Sequence, residues 1–355
     1  MEMSKLIPKK TNRIKKIILL LSALVAINLF VFGGFYFPAY QNKQNNQNTQ
    51  ITPTPIPFKE ITIPYLRSRT YQSSLGKLNQ ATETSAYIGY LTSYDSDGLK
   101  VNGYLTIPKG ESPENGWPAI VFVHGYIPAQ NYRTLENYSS YVDYLAGNGF
   151  VVFKIDLRGH ADSEGEPGGG YYSADYIIDT LNARAALQKS GFANSKAVGL
   201  WGHSMAGNVI ARALAAQPEI PAIVIWAGAV YTYSDFSEYG IADNSYQPPL
   251  TQSPSRKKRN KMFEKYGQFD PNSSFWKLVP MTNYLSGIKG AIQINHAIDD
   301  QVVDIRYSRN LNNLLDKTLI PHELNEYPSG GHNFTGSSFN EAMQNTVEFF
   351  KKYLK

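Results

Sequence analysis

The sequence predicts an α/β domain with a mostly parallel sheet of about eight strands and helices on both faces. Short apolar runs alternate with longer stretches of helical character from about residue 119 onward. Strands that are buried on both faces read as continuous apolar runs, as these do. Before them, two alternating segments flank Asp97-Gly98, which predicts an antiparallel hairpin at the start of the sheet.

The individual elements follow from apolar patterning and from the turn residues between them. Strands are predicted at residues 87–94, 99–107, 119–124, 151–155, 197–201, 222–227, 291–295 and 321–327. Helices are predicted near residues 133–147, 174–189, 204–216, 304–316 and 337–354.

One interval is far longer than the connections of about 2–6 residues that are common in such units. It lies between Trp226 and Ala291, and we interpret residues 229–288, approximately, as a cap insertion. Its aromatic residues are interpreted mostly as the small core of the cap, with the lining of a substrate pocket as the alternative. The basic run at residues 256–259 is interpreted as a solvated helix face, with contact to anionic lipid or a substrate carboxylate as the alternative.

The most informative segment is Gly202-His203-Ser204-Met205-Ala206-Gly207, between an apolar strand and a helical run. A serine between small residues at such a junction is the signature of a nucleophile elbow. The strained turn exposes the hydroxyl, and the helix N-terminus stabilises negative charge that develops there. This context predicts Ser204 as the nucleophile of acyl transfer, in preference to an ordinary capping serine.

A serine nucleophile needs a base, and the base needs an acid that orients it. Carboxylates at Asp299 and Asp300 follow the strand at residues 291–295, and a glycine-rich loop after the last strand leads to His332. Active sites of such sheets lie beyond the carboxyl ends of the strands. The order serine, carboxylate, histidine predicts a catalytic triad, although spacing does not choose between the two aspartates. Taken singly, each segment could be a plain turn.

These segments together resemble the prolyl-oligopeptidase-like branch of the α/β-hydrolases, which includes dipeptidyl- and acylaminoacyl-peptidases. The resemblance covers roughly residues 85–355 and lies in five motifs, at 121–126, 156–165, 202–207, 296–303 and 330–332. It implies the α/β-hydrolase fold. The family pattern His-Gly-x-x-Asp-x-x-Val implies that the triad acid is Asp300. Ala161, Ala206 and Ala297 stand where the family often has glycine.

The oxyanion hole is expected to use two backbone N–H groups. One belongs to Met205, the residue after the predicted nucleophile. The other is expected from Tyr126, in the loop after the strand predicted at residues 119–124. The remaining histidines of the motifs are interpreted as local hydrogen-bonding residues, because they lie on the wrong segments for the triad. They are His124, His160, His203 and His296.

The N-terminal region differs in composition from the rest of the chain. Residues 1–16 carry six basic side chains against one acidic, and residues 17–37 contain no charge. At 1.5 Å per residue, 21 helical residues span about 31 Å, enough for a bilayer core. We therefore expect a basic cytoplasmic tail, a single transmembrane anchor at 17–37 and a disordered linker at 38–58. The catalytic domain would be residues 59–355, outside the cytoplasm, or secreted if the anchor is cleaved.

Composition also limits the other classes of function. The positive net charge of the chain is accounted for by the first sixteen residues, so it does not indicate nucleic-acid binding. The chain has no cysteine, and it shows neither a zinc-ligand pattern nor a phosphate-binding glycine loop. No cofactor or metal is therefore expected, and the sequence does not indicate an oligomeric state.

The function expected from the sequence is that of a membrane-anchored serine hydrolase that cleaves peptide or ester bonds. The resemblance favours a serine peptidase. Peptidases of the family usually carry a propeller before the catalytic domain, and residues 45–85 are too few to form one, which favours an esterase instead. A non-catalytic binding module on the same fold is the third alternative.

Overall fold

The computed structural model describes residues 56–246 and 253–355. In this part of the chain, nine strands form one sheet in the order β1-β2-β3-β5-β4-β6-β7-β8-β9. They are β1 Asn79–Glu83, β2 Tyr87–Ser96, β3 Leu99–Pro108, β4 Trp117–Val123, β5 Val151–Ile155, β6 Ala193–His203, β7 Ala222–Trp226, β8 Ala291–Ala297 and β9 His322–Tyr327. The pairs β1–β2, β2–β3 and β3–β5 are antiparallel, and the other five pairs are parallel.

All eight predicted strands are present, but the expected total of about eight is one too low. The additional strand is β1, which pairs with β2 at the edge of the sheet. Its sequence Asn-Gln-Ala-Thr-Glu is polar and almost fully exposed. An edge strand without an apolar face lacks the alternation that predicts a strand.

Eight α-helices lie in the described residues: α1 Ile63–Ser68, α2 Ser139–Gly147, α3 Asp175–Gln188, α4 Met205–Ala216, α5 Tyr233–Tyr239, α6 Pro254–Tyr266, α7 Arg306–Leu315 and α8 Ser337–Tyr353. The helix predicted at 133–147 begins only at Ser139. The preceding residue, Tyr138, has a left-handed backbone with φ of 62°, so the segment before it forms a loop.

The two faces of the sheet carry two separate apolar clusters. Val121 and Leu200 belong to the cluster that includes residues of α1, α3, α4 and α7. Their sequence neighbours Ile120 and Trp201 belong to the other, with residues of α2 and α8. Because successive side chains of a strand point to opposite faces, each central strand contributes to both clusters. Full burial of one such side chain contributes about 1.5–3 kcal/mol.

The long interval between β7 and β8 contains α5 and α6. Aromatic rings from these helices and the segment after them pack around Trp276, including Tyr233 and Phe263. Tyr233 and Trp276 belong to the main apolar cluster, together with residues of α3 and α4, so these rings do not form the separate core that the sequence predicted. Lys257 and Lys258 of the basic run are exposed on α6, and Lys258 pairs with Glu60.

The predicted tail (1–16), the predicted anchor (17–37) and all but the last three residues of the predicted linker (38–58) lie outside the described residues. No helix in residues 56–246 or 253–355 has the length and apolar character that a membrane crossing requires.

Candidate active site

Ser204 lies in a sharp turn between β6 and α4. Its backbone has φ of 54° and ψ of −120°, and its N–H donates to the carbonyl oxygen of Trp226 at 2.9 Å. A Cβ atom at Gly202 would lie only 2.8 Å from the carbonyl oxygen of Ala206, so a larger residue does not fit there. Unfavourable backbone geometry of this kind occurs at functional sites, where the surrounding structure holds it.

The loops after β8 and β9 bring a carboxylate and an imidazole together. Asp300 Oδ2 lies 2.8 Å from His332 Nδ1, and Asp300 Oδ1 accepts the N–H groups of Val302 and Val303. Burial alone would raise the pKa of Asp300. Hydrogen bonds from His296 and His332 outweigh burial and hold this pKa well below its usual range. The ionised carboxylate fixes the proton of His332 on Nδ1, which leaves Nε2 as the proton acceptor.

Asp299 has a different set of contacts. Its two carboxylate oxygens accept the backbone N–H groups of Gly330 and Gly331, at 3.3 and 2.8 Å. The structure therefore brings Asp300 to the imidazole of His332, whereas Asp299 contacts the backbone of the loop that carries it.

Ser204 and His332 line one open cavity of about 420 Å³ at the carboxyl ends of the strands. The described residues include no direct hydrogen bond between these two side chains. Catalytic hydrogen bonds are often long before substrate binds and tighten in the Michaelis complex. The cavity thus exposes the hydroxyl and the imidazole to the same substrate.

The two predicted oxyanion donors lie on separate segments near Ser204. Met205 is the first residue of α4, and the first N–H groups of a helix have no intrahelical acceptor. Tyr126 follows β4 and lines the cavity with Ser204. The positive end of the α4 dipole also faces this position.

Four polar residues that line the cavity were not predicted from the sequence. Asp243 and Ser245 come from the cap, whereas Asn137 and Asn333 precede α2 and α8. Asp243 Oδ1 accepts from both the N–H and the hydroxyl of Ser245, at 2.8 and 2.6 Å. The sequence shows the local Asp-x-Ser spacing, but nothing in it indicates that this segment lines the cavity with Ser204.

Three other motif histidines have buried contacts of their own. His124 and His160 are buried with rings 5.0 Å apart, and burial lowers the pKa of each imidazole. His296 is also buried, with Nε2 3.2 Å from Asp300 Oδ2 and Nδ1 2.7 Å from Ser308 Oγ. His296 and His332 therefore both contact Oδ2 of Asp300.

Only one of the three alanines that replace family glycines has a left-handed backbone. Ala161 has φ of 48°, a conformation that costs a non-glycine residue about 1–2 kcal/mol. Ala206 lies inside α4 and Ala297 ends β8, so neither position requires glycine.

Comparisons with known proteins agree with this architecture. A family model described as "Serine aminopeptidase, S33" matches residues 117–260. The fold is similar to acetyl xylan esterase 1 from Thermoanaerobacterium sp. JW/SL YS485, with 20% identity and a TM-score of 0.56 over 84% of this chain and 95% of that one. Est1E from Butyrivibrio proteoclasticus, solved with ferulic acid, matches at 17% identity and a TM-score of 0.54 over 73% and 97% of the two chains.

A peptidase is among the similar structures too. Dipeptidyl peptidase 4 from Porphyromonas gingivalis matches at 18% identity and a TM-score of 0.55, over 76% of this chain and 36% of that one. Esterases and peptidases therefore share this fold, and the comparisons do not single out the prolyl-oligopeptidase-like branch. The chain has the α/β-hydrolase fold and is a serine hydrolase.

Proposed function

We propose that this serine hydrolase is an esterase that removes small acyl groups from hydroxyl-rich alcohols such as sugars. The observation that carries the proposal is the polar lining of the cavity beside Ser204, where Asp243, Ser245 and two asparagines offer both donors and acceptors. A few such groups around an open pocket fix the orientation of a polar ligand. The rings of Tyr126 and Tyr246, 5.5 Å apart, add an aromatic surface.

The mechanism uses the triad in two half-reactions. His332 Nε2 takes the proton of Ser204 as its oxygen attacks the ester carbonyl, and Asp300 stabilises the imidazolium. The N–H groups of Met205 and Tyr126 stabilise the oxyanion of the tetrahedral intermediate. When this collapses, the C–O bond breaks and the alcohol leaves with the proton from His332. Water then attacks the acyl-enzyme, again through His332, and releases the carboxylic acid and Ser204.

The share of each similar structure that this chain matches supports the choice of an ester. The acetyl xylan esterases and Est1E are matched over more than nine-tenths of their own length, whereas the peptidase is matched over 36%. The described domain thus corresponds to nearly the whole of those esterases, and their substrates include acylated polysaccharide by name.

An aminopeptidase is the second candidate, and Asp243 favours it. Among the described residues that line the cavity, Asp243 is the one carboxylate, and its Oδ2 atom has no hydrogen bond there. A substrate ammonium group could pair with this oxygen. The description of the matching family model points the same way.

The test compares turnover of acetylated xylose and p-nitrophenyl acetate with turnover of aminoacyl p-nitroanilides. Ser204→Ala is the control, and we expect it to remove turnover of every substrate that the triad cleaves, while the fold remains intact. We expect ester turnover. Anilide turnover without ester turnover would overturn the esterase, and a stable fold without any turnover would support the binding module.

Asp243→Asn separates the two candidates further. A charge-assisted bond to an ammonium group contributes about 1.5–3 kcal/mol, so its loss lowers kcat/KM for anilides about 10- to 150-fold. An uncharged sugar ester loses much less. Ser245→Ala is the matched control, because it removes one hydrogen bond to Asp243 and keeps the charge.

We also propose that residues 17–37 anchor the enzyme in the cell membrane with the catalytic domain outside the cytoplasm. The proposal is supported by the 21 uncharged residues and by the basic residues that precede them. Membrane fractionation and protease accessibility of whole cells test it. Activity that stays in the soluble cytoplasmic fraction would exclude the anchor.

A further inference from the structure

His203, the residue before the nucleophile, connects two other loops of the active site. Its Nε2 atom lies 2.8 Å from the backbone oxygen of His332, and its Nδ1 atom lies 2.7 Å from Tyr138 Oη. Tyr138 Oη in turn lies 3.1 Å from the backbone nitrogen of Gly125. Three segments that each carry a predicted catalytic group therefore meet at one imidazole and one phenol.

The backbone oxygen of His332 sets the direction of each hydrogen bond between His332, His203, Tyr138 and Gly125. The backbone oxygen of His332 can only accept, so His203 Nε2 carries the proton. The buried ring is neutral, because burial and the nearby His332 lower the pKa of His203 to about 3. Nδ1 of His203 therefore accepts from the hydroxyl of Tyr138. The oxygen of Tyr138 is left to accept the N–H of Gly125.

We call the linked contacts of Gly125, Tyr138, His203 and His332 the His203 bridge. Other atoms pack closely around it. A Cβ atom at Gly125 would lie 2.8 Å from Tyr138 Oη and 3.1 Å from His203 Nδ1. Tyr138 itself has φ of 62°, which is unfavourable for a side chain of this size. Its ring packs edge-on against Phe122 and Trp201, at 5.5 and 6.1 Å between centroids. Packing thus holds a strained residue at the position that the bridge needs.

We propose that His203 and Tyr138 are positioning residues that fix the oxyanion loop, the elbow and the His332 loop relative to one another. The inference rests on the proposed triad and is the same for an ester or an amide substrate. The bridge joins Gly125, which precedes Tyr126, to the backbone of His332, and it includes His203, the neighbour of Ser204. Its effect is therefore on the tetrahedral transition state more than on ground-state binding.

The experiment compares variants of the full chain that break different parts of the bridge. Tyr138→Phe removes the hydroxyl, and His203→Phe removes both ring nitrogens. His203→Gln keeps a donor near the Nε2 position, so it can retain the bond to His332. For p-nitrophenyl acetate we expect Tyr138→Phe and His203→Phe to lower kcat about 10- to 100-fold with KM within about twofold. His203→Gln recovers part of that loss.

Two controls and one inhibitor separate positioning from a general loss of structure. Tyr87→Phe also removes a buried tyrosine hydroxyl, which contacts Asp143 of α2, and His322→Gln alters a histidine that contacts Asp316. Both should leave kcat unchanged. A boronic acid forms a tetrahedral adduct with the serine, so its inhibition constant should rise in proportion to the loss of kcat/KM in the bridge variants.

The same measurements distinguish failure of the bridge proposal from failure of the proposed triad. Turnover that survives Ser204→Ala would exclude Ser204 as the nucleophile, and with it the proposed triad. If Ser204→Ala abolishes turnover but Tyr138→Phe and His203→Phe keep kcat within twofold, the bridge has no positioning role. A fall in kcat that accompanies a fall in unfolding temperature, without a change in boronate affinity, would also overturn the proposal. That result would indicate a purely structural role.

Discussion

At the scale of single residues, two neighbouring aspartates hold the same histidine in different ways. Asp300 accepts a hydrogen bond from the His332 ring, and Asp299 accepts the N–H groups of the two glycines before it. The first contact orients an imidazole and stabilises its charged form. The second positions a glycine-rich loop that would otherwise sample many conformations. The chemistry and the conformation of one catalytic loop thus depend on adjacent carboxylates.

This division predicts unequal effects of two identical substitutions. Asp300→Asn should lower kcat by about 10³- to 10⁴-fold, since an amide neither stabilises the imidazolium nor fixes the proton on Nδ1. Asp299→Asn keeps an oxygen acceptor for Gly331 and should cost less than about tenfold. Steady-state kinetics on p-nitrophenyl acetate measures both, with circular dichroism as the control for folding. The reverse order of effects would assign the triad acid to Asp299.

At the scale of elements, the loop before α2 is held by a buried lysine of β5. Lys154 Nζ donates to the backbone oxygens of Thr134 and Asn137, and Asn137 and Tyr138 line the cavity. Burial lowers the pKa of Lys154 to about 8, although the neighbouring Asp156 opposes this shift. A neutral amine still has two N–H donors, so both hydrogen bonds to the loop can persist above this pH.

The lowered pKa of Lys154 predicts a pH dependence of stability. Between about pH 8 and 10.4 the unfolded chain binds this proton and the folded chain does not, so the contribution of Lys154 to the unfolding free energy rises with pH. Below pH 8 both states are protonated and the contribution is constant. The stability of the native protein relative to Lys154→Met should therefore increase by up to about 3 kcal/mol across this range.

Urea unfolding of both proteins at pH 7, 8, 9 and 10 measures this difference. Subtraction of the variant removes the titration of the buried tyrosines, which both proteins share. Lys196→Met, at an exposed position, is the matched control and should show no such trend. A stability difference that stays constant from pH 7 to 10 would show that Lys154 titrates alike in both states.

Elements were predictable where a local pattern determines them. The eight apolar strands were found because burial requires apolar residues, but β1 is polar and depends on its pairing with β2. The start of α2 was placed too early, because the left-handed turn at Tyr138 is held by tertiary packing. Propensity along the chain does not record such contacts.

At the scale of the whole molecule, chain order and strand ends predict which residues meet at the sheet edge. Ser204, Asp300 and His332 each follow a strand of the same sheet edge. The other polar groups that line the cavity were not predictable, since Asp243 belongs to the long interval between β7 and β8, whose path is set by long-range packing. The His203 bridge was missed for the same reason, because its partners lie 65 and 129 residues away.

The N-terminal segment of the described domain is a further long-range feature of the whole molecule. Ile61, Ile63 and Leu66 are buried in the main apolar cluster. The fully buried guanidinium of Arg212 on α4 donates to the backbone oxygen of Ile61. This segment therefore covers the helix that begins at the nucleophile, although it lies outside the region of family resemblance.

The packing of this segment predicts the N-terminal limit of a stable catalytic domain. A chain of residues 56–355 should retain ester turnover. A chain of residues 70–355 loses three buried aliphatic side chains, about 5–9 kcal/mol at 1.5–3 kcal/mol each, and Arg212 loses one of its two backbone acceptors and keeps Ser173. Because whole domains are stable by only about 5–15 kcal/mol, the shorter chain should not fold.

Thermal unfolding and turnover of the two truncated chains provide the measurement. Ile63→Ala in the longer chain gives a graded version of the same loss and should cost about 2–5 kcal/mol, so the prediction can be tested even if the shorter chain is insoluble. Arg67→Ala serves as the comparison, because this exposed side chain contributes hydrogen bonds to the backbone of Ala215 and Tyr284 but little buried apolar area. A 70–355 chain that unfolds at the same temperature as 56–355 would mean that the segment only lies on the domain and does not stabilise it.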